Sequence, residues 1–397
     1  MKSCAALHSL LRDRRLMVLA TTVVLVMSSM SAIPIVLREI SVALSVSEHS
    51  AARVIPSYMA GYFLGSVLYT LFSSRIGPTV LTRYLLMLFV VSNLFAAATS
   101  SVLVLTVARF VSGIASSSFV PFTLYYLSKN RGKSGSAVGT VFALSTAGGL
   151  IGSLVAGLVP WRAAFLIPAL LGAVLVALGW KDRNASERAL ARPDRRFTLS
   201  LFRHGEVCML LLYIFALRTM SVMVYTWMGT HLQVENGWTK AMVSLFYLTA
   251  GLLAVVGSMA GGLLLDRMRG RGALTVFGFL FVLFFVGFCW ERHVALVPLL
   301  MFGALFGSAR QGMHVSFIGL LSRADDTIRA ASLGMNSVVV FLANTLGSAG
   351  IIRATKMISF EQVMLGLGCL FVVCYATLLS RRNLIYRIER GTHMTNA

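Results

Sequence analysis

The chain has 397 residues, of which 57% are hydrophobic and 12% charged, with a mean hydropathy of +0.81. That apolar content exceeds what a soluble domain buries in one core. The formal net charge of +21 raises the question of nucleic acid, but the cations recur as short clusters between apolar runs rather than on one face, which argues against a nucleic-acid partner and for membrane topology.

Runs of about twenty apolar residues match a hydrocarbon core about 30 Å thick. Twelve such runs are expected to be transmembrane helices. In the first half they cover residues 16–36, 54–72, 84–98, 102–127, 138–159 and 163–180. In the second half they cover 207–231, 241–265, 272–290, 294–321, 330–352 and 363–379. Between the halves lies the longest polar interruption, 181–206, with seven cations against four acids. Segments so apolar bury their surface in lipid or in one another, while so charged a stretch stays in water. The expected architecture is all-α and polytopic: an N-terminal six-helix bundle over 1–180, a basic cytoplasmic linker over 181–206, and a C-terminal six-helix bundle with a short cytoplasmic tail over 207–397.

The start of the chain has the order of a secretory signal: basic residues, an apolar run, then Ser-Met-Ser-Ala ending at Ala32. Cleavage would leave an odd number of spans, so the first helix is expected to be retained. Of the 35 Lys and Arg, 25 fall in polar segments on the side of the N-terminus and 7 on the opposite side. The positive-inside rule then places both termini and the linker in the cytoplasm, in a bacterial cytoplasmic (inner) membrane on the evidence of the compact loops. The sequon Asn184-Ala185-Ser186 is in that linker, so it is one by pattern only. The five cysteines have no metal or redox spacing, and five of the eight prolines sit within spans, where neighbouring helices can re-satisfy freed carbonyls.

The halves echo each other. Ser128-Lys129 corresponds to Ser322-Arg323, and Gly113 to Gly307, at an offset of 194 residues. Ser74-Arg75-Ile76-Gly77 and the turn expected at Asp266-Arg267-Met268-Arg269-Gly270 correspond at 192. A nearly constant offset points to a duplicated six-helix unit, as in secondary transporters.

From Gly148 to Leu158, small residues recur at helical spacing: Gly148, Gly152 and Ala156 form one row, with Gly149, Ser153 and Gly157 beside it. Such rows let two helices approach closely, and generic packing alone accounts for an isolated one. The run ends at Pro160-Trp161-Arg162, three residues before Phe165. At this point the chain resembles the major facilitator superfamily. The glycine row with Trp161-Arg162-x-x-Phe165 is similar to the fifth-helix antiporter motif of its drug-efflux branches. Asp266-Arg267-x-x-Gly270-Arg271 resembles the cytoplasmic loop signature, and Arg109-Phe110-Val111-Ser112-Gly113 resembles the fourth-helix motif whose arginine is linked with proton coupling. Two departures stand out: the first loop, Ser74-Arg75-Ile76-Gly77-Pro78, lacks the acid and later basic residues, and Gly149 replaces a common proline. The resemblance implies two six-helix domains with alternating access by rocking. It also implies coupling or gating roles for Arg109, Asp266, Arg267, Gly148, Gly152 and Gly157.

A charge inside a span costs at least about 3 kcal/mol at the centre, so it has a partner or lines a watery cavity. Arg218 lies about 16 Å into its span at 1.5 Å per residue, with Ser221 and Tyr225 on its face. Arg310 is equally deep, with Gln311 adjacent and His314 one turn on. Arg109 is nearer a span end, from which it is expected to snorkel outward. No Asp or Glu falls inside any predicted span. Deep fixed charges that are positive suit an anionic or strongly polar substrate, because a guanidinium grips carboxylate or phosphate bidentately; a structural network is the plainer alternative. The substrate or cavity candidates are thus Arg218, Arg310, Gln311, His314, Tyr225, Tyr62, Asn336 and Asn344, with Tyr58, Ser116 and Ser117 as softer ones.

No phosphate-binding glycine loop, metal-ligand cluster or nucleophile elbow occurs, so neither enzyme activity nor a cofactor is expected. The expectation is a monomeric secondary transporter of a small organic solute in a lipid bilayer, driven by a solute or ion gradient, with a proton as the candidate co- or counter-transported ion. Efflux is favoured by the glycine row. Uptake of an organic anion is the alternative, and a membrane sensor retaining the transporter fold is a rival from another class.

Overall fold

The computed structural model describes residues 14–76, 78–123, 126, 134–179, 204–290, 296–322 and 326–381, and these form no strand. The fold divides into two compact units, Met1–Arg192 and Pro193–Ala397. The first contains α1 (Arg14–Ala43), the short α2 (Glu48–Ala52), α3 (Val54–Ile76), α4 (Pro78–Ala98), α5 (Val102–Ser116), α6 (Ser134–Leu158) and α7 (Trp161–Gly179). The second contains α8 (Gly205–Val234), α9 (Lys240–Trp290), α10 (Leu296–Ser322), α11 (Asp326–Ala354) and α12 (Phe360–Ser380). Most of the linker expected over 181–206 lies outside the described residues, as do Ser128-Lys129 and Arg323.

Nine helical segments of the described residues are long and apolar enough to cross a membrane, and α3, α6 and α10 occupy the other three predicted spans. Large apolar side chains such as Leu103, Val107, Leu212 and Val297 stand exposed on them. In a bilayer these meet acyl chains, while the backbone groups are satisfied within each helix. Helix ends carry local signals. Ser47 accepts the Ser50 N–H at the start of α2, and Ser359 and Gln362 form a reciprocal capping box at the start of α12. Between α8 and α9 the chain turns at Gly237, whose φ of +69° is left-handed backbone that a glycine adopts without strain. The Ser29–Ala32 stretch that resembles a cleavage site lies well inside α1.

Lys240–Trp290 forms one helical segment, and the turn expected at 266–270 falls between its two spans, Lys240–Leu265 and Arg271–Phe288. A straight helix of that length would carry its ends far apart. Yet Phe246 near its start and Phe288 near its end both meet α10 at adjacent residues, Gly303 and Phe302. The chain therefore reverses between the spans Lys240–Leu265 and Arg271–Phe288, which are the eighth and ninth.

Within each unit the helices meet backbone to backbone at corresponding glycines. Gly65 of α3 lies on the Ile114 carbonyl of α5, as Gly257 of α9 lies on the Ser308 carbonyl of α10. Gly113 lies on the Tyr58 carbonyl, as Gly307 lies on that of Ala250. The offsets are again 192 for the α3 and α9 residues and 194 for the α5 and α10 residues. Likewise Gly152 of α6 rests on the Ser28 carbonyl of α1, and Gly347 of α11 on the Thr219 carbonyl of α8. A Cβ at any of these glycines would overlap backbone atoms. Such contacts supply the dispersion that holds helices together where lipid removes the hydrophobic drive.

The rest of the packing differs. The first unit buries mainly aliphatic residues around Val23, Val26, Leu86 and Phe89. The second stacks phenylalanines, with Phe281 within 4.8–6.0 Å of Phe285, Phe306 and Phe371 between ring centroids.

Candidate functional site

The second unit holds a polar cluster on α8, α10 and α11, helices that pack on one another. Arg218 of α8 and Arg310 of α10 lie within electrostatic reach of each other, and both reach His314, one turn beyond Arg310. Asn336 of α11 faces His314 without closing a hydrogen bond. Asn344 lies one turn before Gly347, the residue seated on Thr219 beside Arg218. Arg218 and Arg310 are partly buried, and His314, Asn336 and Asn344 are at most 8% exposed. Arg218 Nε, Arg310 Nε, His314 Nε2, Asn336 Oδ1 and Asn344 Oδ1 are all buried and have no hydrogen-bond partner among the described residues. Gln311 is partly buried beside Arg310.

Tyr225 also reaches Arg310, and its position depends on a residue that the sequence did not single out. The Tyr247 hydroxyl donates to the Tyr225 carbonyl at 2.8 Å and accepts from the Gly229 N–H at 3.0 Å. A regular helix pairs that carbonyl with that N–H, so the Tyr247 hydroxyl bonds to both members of one rung of the α8 ladder, the kind of insertion that can open a helix locally. The two rings pack edge to face at 4.8 Å. Only a polar aromatic in an apolar run marked Tyr247, too common a signal to separate it from packing.

Among the described residues no carboxylate pairs with Arg218 or Arg310. Two like charges in a low-dielectric interior destabilise each other unless a counter-charge joins them. An anion placed between them gains that energy, and guanidinium forks hold a carboxylate or phosphate through paired donors.

The first unit builds a different site. Arg109 of α5 does not snorkel outward: it is 1% exposed, with its guanidinium carbon 4.1 Å from the Tyr58 ring centroid and 5.6 Å from that of Phe165. The aromatic faces inside the bundle give the cation a better environment than the nearer span end. Arg109 Nη1 donates to Ser29 Oγ at 3.3 Å, Ser29 Oγ donates to Asn93 Oδ1 at 3.4 Å, and Asn93 Nδ2 donates to Ser112 Oγ at 3.1 Å. Ser29, in Ser28-Ser29-Met30-Ser31, and Asn93, beside Ser92, were not singled out, because small polar residues within spans commonly serve ordinary helix packing. Tyr62 is buried in this unit one turn from Tyr58, with ring centroids 6.4 Å apart.

The expected absence of carboxylates also needs correction. Helix α1 extends past the predicted span to Ala43 and takes in Glu39, whose Oε1 accepts the Trp161 N–H at 3.1 Å. A carboxylate there satisfies a free donor at the start of α7 and suits that helix's dipole. Arg162 caps the other side, donating to the Ala97 and Thr99 carbonyls at 2.6 and 3.0 Å. Glu39, Glu206 and Glu361, which fall within the candidate membrane spans, all lie near span ends, and Asp266 lies between two spans, so the deep charges remain cationic.

Gly148 and Gly152 pack on α1 at Val24 and Ser28, and Gly157 is buried on the same helix. Asp266 and Arg267 lie on α9, Arg267 exposed. Among the described residues no cluster of His, Cys, Asp and Glu is arranged to hold a metal ion.

Comparison with known proteins gives a consistent result. A family model described as Major Facilitator Superfamily matches residues 17–352. The chain is 24% identical over 352 residues to the inner membrane transport protein YdhP of Escherichia coli K12, covering 85% of this chain and 87% of that one. It is 22% identical over 314 residues to the uncharacterized MFS-type transporter YtbD of Bacillus subtilis, covering 75% and 78%. The fold matches the crystal structure of the nucleoside transporter NupG with a TM-score of 0.73 at 15% identity, over 92% of this chain and 98% of that one. It matches a D-xylose-proton symporter with a TM-score of 0.68 at 15% identity, over 91% and 96%. The chain therefore belongs to the Major Facilitator Superfamily, with its all-α fold of twelve transmembrane helices in two pseudo-symmetric six-helix bundles.

Proposed function

We propose that this secondary transporter moves a small organic anion by alternating access, with efflux as its direction. The observation that carries the substrate charge is the Arg218–Arg310 pair, deep in the second unit and without a paired carboxylate among the described residues. The glycine row supports efflux: it resembles an antiporter motif, and it forms a close helix contact with α1. Arg109, buried against Tyr58 and bonded to Ser29, is assigned to coupling with a counter-transported proton rather than to substrate. Asp266 and Arg267 are assigned to gating on the cytoplasmic side. The asymmetry of 25 cations against 7 supports cytoplasmic termini and a cytoplasmic linker in a bacterial inner membrane, with the monomer as the working unit.

A thermal-shift screen of the purified protein against organic anions, cations and neutral solutes tests the substrate class, because a ligand bound only by the folded state raises its stability. Anions are expected to give the shifts; shifts from lipophilic cations alone would overturn the reading. Counterflow from proteoliposomes of known orientation tests direction. Reporter fusions at Ala397 and within the linker are expected to report cytoplasm, and an external signal from either would overturn the orientation.

A further inference from the structure

An anion between Arg218 and Arg310 answers the two guanidiniums and leaves something over. His314, Asn336 and Asn344 are each more than nine-tenths buried, and each holds a polar atom without a partner. Asn336 Oδ1 and Asn344 Oδ1 are acceptors that donate nothing, and His314 Nε2 accepts or donates according to tautomer. A buried acceptor left bare costs about 1–3 kcal/mol, so a site that keeps several is completed by something that donates to them. Of the nearby hydroxyls, those of Ser221 and Ser348 are already given to the backbone carbonyls of Leu217 and Asn344, at 2.6 Å each, and that of Thr219 has no partner among the described residues. The bare acceptors lie beside the cations: Asn336 faces His314, His314 is one turn from Arg310, and Asn344 is level with Arg218 through the Gly347–Thr219 contact.

Resting on the reading of this pair as an anion site, we infer that the substrate is a hydroxylated organic anion, whose anionic group bridges Arg218 and Arg310 while a hydroxyl on its carbon chain donates to Asn336. His314 and Asn336 are then specificity-determining residues. An unsubstituted carboxylate or alkyl phosphate satisfies the arginines and leaves the acceptors bare, and a neutral polyol does the reverse. Sites built to hydrogen-bond a substrate hydroxyl reject the analogue lacking it far more strongly than apolar pockets reject a missing methylene.

The test uses the purified full-length protein and matched pairs: glycerate against propionate, gluconate against hexanoate, and ribose 5-phosphate against pentyl phosphate, with sorbitol as the uncharged control. Dissociation constants come from titration calorimetry. In at least one pair the hydroxylated anion is expected to bind about tenfold or more tightly than its partner, with sorbitol weaker than both. Asn336→Ala is expected to collapse that ratio towards one while leaving the unsubstituted anion's affinity within about threefold. A merely structural asparagine would weaken both members alike. Equal binding within every pair overturns the hydroxyl inference and leaves the anion reading standing. Binding of sorbitol alone overturns both. No binding by any hydroxylated anion, or a ratio that survives Asn336→Ala, overturns the inference as stated.

Discussion

The two six-helix units share one scaffold and carry opposite polar interiors. Gly65, Gly113 and Gly152 of the first have counterparts in Gly257, Gly307 and Gly347 of the second, each seated on the backbone of an equivalent neighbour. Around Arg109 the first unit links Ser29, Asn93 and Ser112 by side-chain hydrogen bonds, with an aromatic face over the charge, though Arg109 Nε and the Tyr58 hydroxyl have no partner among the described residues. Around Arg218 and Arg310 the second unit leaves donors and acceptors open. The offsets that relate the glycines place Gly303 opposite Arg109 and Ser116 opposite Arg310, so neither polar centre is a copy of the other. Backbone contacts survive duplication because they set helix spacing. On the proposed reading, polar residues diverge because one unit is held rigid while the other receives a solute.

The comparison is broken most forcefully at the shared glycines. Gly113→Leu and Gly307→Leu put bulk against carbonyls that cannot withdraw without moving a helix, and overpacking of this kind costs about 1–3 kcal/mol or more. Each is expected to abolish at least nine-tenths of transport in proteoliposomes while membrane insertion persists, and Gly152→Leu is expected to do the same. Full transport by any one of them would show that its contact is dispensable.

Asn93→Leu comes next. It strips the link between Ser29 and Ser112 and leaves their hydroxyls and Arg109 short of partners, an expected loss of about 1–3 kcal/mol. The melting temperature should fall while affinity for an anion at the proposed Arg218–Arg310 site stays within about twofold. A changed affinity at unchanged stability would reverse the roles of the two networks.

A smaller effect is expected at Tyr247. Tyr247→Phe removes the hydroxyl between the Tyr225 carbonyl and the Gly229 N–H, and those two groups can then bond directly, so the net cost is about 0.5–1.5 kcal/mol or less. Amide exchange at Gly229 should slow as the helix closes, and affinity should shift only severalfold. Faster exchange would mean that the hydroxyl braces α8 rather than opening it.

Much of this was legible in the sequence, and for identifiable reasons. Span positions follow from runs of apolar residues, which leave few alternatives in a bilayer, and the Gly113–Gly307 correspondence showed the repeat before its geometry was known. Arg218, Arg310 and His314 stood out because charge deep in a span is costly and rare. Their gathering around Asn336 was not legible, since helices α10 and α11 are brought together by tertiary packing rather than by spacing. Arg109 was misplaced for a related reason: depth along the helix suggested a route outward, whereas the Tyr58 and Phe165 rings on other helices hold it inside. Glu39 was missed as a membrane-helix residue because α1 continues beyond its apolar run.

The central claim is that the second unit's unpaired cations exist for an anion, and Arg218→Gln tests it most directly when stability and binding are measured on the same sample. Removing one charge-assisted partner should weaken anion binding by about ten- to a hundredfold, equivalent to roughly 1.5–3 kcal/mol. The substrate-free protein should melt no lower than the parent, because one of two mutually repelling buried charges is gone. Arg218→Lys should fall between the two in affinity, keeping the charge without the planar fork. Unchanged anion binding by Arg218→Gln together with a lower melting temperature would contradict the account and make Arg218 a structural residue.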